Sequence, residues 1–91
     1  MISKLDSILP WWPVTSAILM QTREEISWVQ RRTPTYVECI FYFDSSSVEV
    51  VTSIFNKIKK GILEAIITDC SDVDMLFNTA IAIRRFKKEN E

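Results

Sequence analysis

Histidine is absent from this 91-residue chain, glycine occurs once, cysteine twice and proline three times. Each scarcity excludes a chemistry. Without histidine the usual zinc sets cannot be assembled, and no imidazole is available as a general base. A single glycine leaves no Gly-rich phosphate loop. Cys39 and Cys70 stand far apart with no C-x-x-C, so they read as buried, reduced thiols of a cytoplasmic protein. Long apolar runs are missing too. A membrane-crossing helix needs about 20 apolar residues, and the stretch 8–20 is cut by Pro10 and Pro13 and carries Thr15 and Ser16. The start does not read as a secretory leader, because Lys4 is followed by Asp6 and no small-residue cleavage pattern follows. Charge of one sign is lacking as well. Eleven Lys plus Arg against 12 Asp plus Glu give a net charge of -1, with no global field toward nucleic acid or anionic lipid.

What remains is globular, with 47% hydrophobic and 25% charged residues. There is no linker, low-complexity tail or sequence repeat, so residues 1–91 form one domain. Residues 2–9 fit a short helical turn ended by Pro10. Pro13 suits a first helical position and Pro34 forbids continuation, which brackets a helix over 14–32. A rival reading places a strand at 17–21 and starts a shorter helix at a Thr22/Glu25 capping box.

Y-V-E-C-I-F-Y-F, 36–43, has the aromatic and β-branched density of a buried strand. Ser46 with Glu49 fits a capping box, opening a helix whose stripe is Val48, Val51, Ile54, Phe55 and Ile58 and whose left-handed C-cap is Gly61. Residues 62–68 read as a second strand, or as continued helix through Ile62, Ala65 and Ile66. Ser71 with Asp74 repeats the capping spacing and opens a C-terminal helix through Val73, Leu76, Phe77, Ala80, Ile81 and Ile83.

The fold expected is therefore a small two-layer α/β domain, an N-terminal helix at 14–32 followed by strand-helix-strand-helix with a parallel strand pair. An all-α helical bundle is the alternative. P-W-W-P-V is read as a stiff corner folding Trp11 and Trp12 onto the sheet, with docking of a partner as its rival role.

No motif assigns catalytic residues, and no cofactor is expected. Asp44, Asp69 and Asp72 would meet at the carboxyl edge of a parallel pair and could hold a hard cation, although Asp and Ser are also what two helix starts contain. That gives the reading of a small metal-dependent enzyme. Glu38 and Glu64 would share a sheet face as an acid-base pair, or Glu38 would pair with Arg23, Arg31 or Arg32. Basic residues cluster at Arg31 and Arg32, at Lys57, Lys59 and Lys60, and at Arg84, Arg85, Lys87 and Lys88. The run over 37–86 resembles in topology the core of Alba-type nucleic-acid-binding domains, which implies nucleic-acid binding through these clusters; the loop after the first strand, basic in such domains, is D-S-S-S here.

On a helical C-terminus Met75, Thr79, Ala82 and Phe86 would line the side opposite the core and form a groove for another helix. The favoured reading is a non-enzymatic protein-protein interaction or regulatory module acting through an oligomeric interface, probed at Met75, Thr79, Ala82, Phe86, Trp11 and Trp12, with a homodimer expected.

Overall fold

The two tryptophans and Pro13 do begin a helix, but a short one. The computed structural model describes residues 11–65 and 71–87. In it α1 (Trp12–Gln21) starts with proline in its first turn and ends where the Thr22 hydroxyl and amide both donate to the Leu19 carbonyl, at 2.9 and 3.2 Å. The expected helix over 14–32 is thus corrected. From Ile26 onward side chains alternate between half-buried and exposed, and β1 (Ser27–Arg32) follows. Pro34 marks a hairpin instead of a helix end. The Thr33 hydroxyl accepts from the amides of Thr35 and Tyr36 at 3.2 and 3.0 Å, closing the turn into β2 (Tyr36–Tyr42).

Helix α2 (Val48–Glu64) opens on Ser47, whose hydroxyl accepts from the Val50 amide at 3.3 Å, so the cap is one residue later than the Ser46/Glu49 box implies. Val51, Ile54, Ile58 and Ile62 form its buried stripe. Gly61 lies inside this helix, not at a left-handed cap; the strand expected at 62–68 is corrected, since the helix runs on to Glu64 as its alternative reading had it and is capped by Ala65, while 66–68 lie outside the described residues. Gly61 permits a close helix crossing. A Cβ there would stand 2.8 Å from Val14 Cγ1 and 3.2 Å from Ile18 Cδ1 of α1.

The expected C-terminal helix is a second hairpin, β3 (Ser71–Leu76) and β4 (Ala80–Phe86). Its turn carries left-handed residues, Phe77 at φ 53° and Asn78 at φ 60°, and the Thr79 amide donates to the Leu76 carbonyl at 3.1 Å. The helical reading failed because S-D-V-D-M-L alternates with period two while A-I-A-I fits either period.

Strand order is β1-β2-β4-β3, with every neighbouring pair antiparallel. The class is mixed α+β; the parallel pair is corrected, and neither an Alba-like order nor a helical bundle fits. Helix plus hairpin occurs twice, α1-β1-β2 and α2-β3-β4, joined through β2 and β4. This repeat of topology has no counterpart in the sequence.

Both helices cover one face. Val37, Cys39, Phe41 and Phe43 of that face join Ile81, Ile83 and the α2 stripe in the core. Trp11 is 0% and Trp12 4% exposed; the Trp12 ring stacks on Phe41 at 5.9 Å and meets Trp11 edge-on at 6.2 Å. The corner role read for this segment is where both indoles lie. No helix among the described residues is long and apolar enough to cross a membrane.

Candidate functional site

Antiparallel register fixes which residues share the sheet's other face, which no described element covers. Four levels cross the strands in the order β1, β2, β4, β3. Ser27, Tyr42, Ala80 and Leu76 form the first, and Val29, Ile40, Ala82 and Asp74 the second. The third is Arg31, Glu38, Arg84 and Asp72, and Tyr36 beside Phe86 forms the fourth. The first two are largely apolar, the third is ionic, the fourth aromatic.

Glu38 is the centre of the ionic level. Only 1% exposed, it accepts from Arg84 Nε at 2.6 Å through Oε2. Arg31 Nη2 lies 3.1 Å from Oε1, but that nitrogen donates to the Tyr36 hydroxyl at 2.9 Å, and Oε1 has no hydrogen-bond donor. Arg84 also reaches Asp72 at 3.5 Å and Asp74 at 3.9 Å. Burial pulls the Arg84 pKa down, yet the hydrogen bond and charge of Glu38, then Asp72 and Asp74, raise it on balance. This arrangement orders the face and neutralises most of its charge. Tyr36 and Phe86 meet edge to face at 5.7 Å, with Arg31 over the Tyr36 ring at 5.9 Å.

Only part of the expected interaction patch lies here. Ala82 and Phe86 are on this face, Met75 points with Phe41 and Ile81 to the helix side, and Thr79 sits in the exposed β3–β4 turn. Trp11 and Trp12 are buried, Trp12 forming one wall of an apolar cavity of about 310 Å³ with Leu19, Met20, Ile26, Trp28 and Phe41.

The acidic trio does not converge. Asp44 follows β2 at the end of the sheet near Tyr42, whereas Asp72 begins β3 at the opposite end, facing Arg84, and Asp69 lies outside the described residues. Among the described residues no three metal-ligating side chains are placed to hold an ion. Glu64 is an exposed α2 residue, paired with Lys60 at 3.8 Å and remote in the fold from buried Glu38.

The basic clusters divide. Arg31 and Arg84 belong to the uncovered face while their neighbours Arg32 and Arg85 alternate to the other, at the same end of the sheet as Lys87. Lys57, Lys59 and Lys60 are on the exposed side of α2, and Lys88 lies outside the described residues. Cys39 is buried at 0% exposure; desolvation, then the Glu38 charge, pushes its thiol up to about 12. Cys70 lies outside the described residues.

Arg31 was legible as a partner for Glu38, though it arrives from the adjacent strand and not from a crossing helix. Arg84 was missed. The signal for it was the alternation of A-I-A-I-R-R-F read as strand, which puts Arg84 on the same face as Ala80 and Ala82. No family model matches the chain, and no curated protein or solved structure is significantly similar to it.

Proposed function

We propose that this chain is a non-enzymatic interaction or regulatory module whose working surface is the face of its sheet that neither described helix covers, and whose partner there is a protein surface. The observation that carries this reading is the composition of that face: Val29 at 49% and Phe86 at 38% exposed, half-buried Ile40, Tyr42, Leu76 and Tyr36, and one pre-ordered ionic level between them. Apolar and aromatic area around an internally neutralised ionic row is the makeup of a protein interface, where unpaired charge is depleted and aromatics are enriched. Light scattering and sedimentation on the wild type and on Phe86→Glu test it. A complex that loses mass in the variant with unchanged circular dichroism supports the reading, and equal behaviour of both proteins counts against it.

A second reading rests on the aromatic end of the same face. Tyr36 and Phe86 adjoin Arg31, with Arg32, Arg85 and Lys87 at that end of the sheet, a setting in which bases of a single strand could stack. Net charge of -1 and the acids Glu38, Asp72 and Asp74 among those arginines weigh against it. Binding of a labelled oligonucleotide that weakens steeply with salt would favour this second reading.

A further inference from the structure

The order of charges across the uncovered face carries information beyond its composition. Along the third level the signs run plus, minus, plus, minus: Arg31 on β1, Glu38 on β2, Arg84 on β4 and Asp72 on β3. An alternating row with an even number of members becomes its own complement when reversed. A two-fold axis parallel to the strands, placed above the β2–β4 seam, performs that reversal while keeping every level opposite itself.

Such an axis sets β1 over β3 and β2 over β4 of a second copy. Arg31, 60% exposed, then faces Asp72, 49% exposed, of the second copy, and this contact occurs twice; Glu38, 1% exposed, stays beneath it, held by Arg84 of its own chain. Half-buried Tyr42 and Ile40 stand over the buried positions Ala80 and Ala82, and Tyr36 stands over Phe86. The perpendicular choice pairs charges less well. A two-fold running across the strands lays each strand on its own copy, which puts arginine on arginine, acid on acid, or Ile40 and Ala82 on the ionic level.

We infer that the partner is a second copy of this chain, packed sheet to sheet about a two-fold axis parallel to the strands, with Arg31 opposite Asp72 and Val29 opposite Asp74. This rests on the reading of the uncovered face as a protein interface and specifies its occupant. Aligned sheet packing of this kind is common, with faces about 10 Å apart. The footprint is small. Four strands about 4.8 Å apart and roughly 20 Å long give on the order of 400 Å² per copy in projection, about 800 Å² in total and below the roughly 1,200 Å² of a standard stable interface, so a weak, transient dimer is expected.

Val29 supplies the test, because it is an exposed edge-strand position whose substitution leaves the core untouched. Sedimentation equilibrium up to several hundred micromolar compares the wild type with Val29→Lys and Val29→Glu. With Val29 opposite Asp74, lysine should tighten the dimer several-fold and glutamate weaken it about tenfold. A two-fold across the strands would bring position 29 near itself or near arginine, and lysine would then weaken association. A dimer indifferent to both variants, or weakened by lysine, overturns the inference while leaving self-association standing. A wild type that stays monomeric throughout the range overturns the inference outright, and salt-sensitive capture of a single-stranded oligonucleotide by that monomer would overturn the protein-interface reading with it.

Discussion

Arg84 on β4 donates from Nε to Glu38 Oε2 on β2 across 2.6 Å, and the two residues stand directly opposite each other in the register, 46 positions apart in the chain. The pair joins the two helix-hairpin units at the seam of the sheet. Burial makes it consequential, since Glu38 is 1% and the Arg84 side chain 20% exposed. Truncating Arg84 leaves a desolvated carboxylate with one loosely aligned counter-charge.

We therefore expect Arg84→Ala to cost on the order of 3 kcal/mol in urea unfolding. Arg31→Ala should cost under about 1 kcal/mol, because its side chain is 60% exposed. Glu38→Leu combined with Arg84→Met should be less damaging than Arg84→Ala alone, since an apolar pair carries no desolvation cost. A mild Arg84→Ala, or equal losses at the two arginines, would remove Glu38 from the centre of this face.

Much of the covered side of the sheet was legible in the sequence. The alternation of Val37, Cys39, Phe41 and Phe43, the α2 positions Val51, Ile54 and Ile58 and the buried Trp11 and Trp12 are local patterns that lie where they were read, whereas Val48 of the expected stripe is exposed and Ile62 completes it. Hairpins were less legible. Both expected helices that turned out to contain strands, 14–32 and the run from Ser71, had apolar spacings compatible with either period, and capping-type residues were present at false starts. Tertiary pairing then decided, because β2 and β4 each need a strand on both sides. The ionic level depends on register between distant segments, and no local signal reports register.

Cys39 gives a pH-dependent prediction. Desolvation, then the Glu38 charge, raises its thiol to about 12 in the folded protein, above the unfolded value. Below the unfolded pKa, about 8.5, both states hold the proton and the thiol is neutral to stability. Above it the unfolded chain releases the proton and the folded one keeps it, so stability is lost as pH rises toward 12. Wild type should lose about 1.4 kcal/mol per pH unit relative to Cys39→Ala within that window. Parallel pH profiles for the two proteins would contradict the shift. Alkylation of Cys39 at neutral pH should likewise require unfolding.

The β3–β4 turn holds a residue poorly suited to its backbone. Phe77 has φ 53° and is 90% exposed, so its ring gains no burial to offset the left-handed conformation. Phe77→Asn or Phe77→Gly should stabilise the fold by roughly 0.5 to 1 kcal/mol, a gain for a residue that tolerates this geometry. Destabilisation in thermal melts would mean that the ring has a contact the described residues do not show.

Gly61 poses a contest between two effects of similar size, and the structure identifies the neighbour that decides it. Within α2 an alanine gains about 1 kcal/mol of helix propensity over glycine. The same Cβ would stand 2.8 Å from Val14 Cγ1, a distance that forces movement, and Val14 is a β-branched residue with little rotamer freedom on α1. Ile18 Cδ1 at 3.2 Å can turn aside more easily, being the end of a longer chain. Overpacking at a helix crossing costs about 1 to 3 kcal/mol, so Gly61→Ala should be net destabilising by about 1 kcal/mol. Removing the obstructing methyl reverses the sign: in a Val14→Ala background, Gly61→Ala should be neutral or stabilising, with a coupling of at least about 1 kcal/mol in the double-mutant cycle. If Gly61→Ala stabilises the wild type and the cycle shows no coupling, α1 does not pack against α2 at this position.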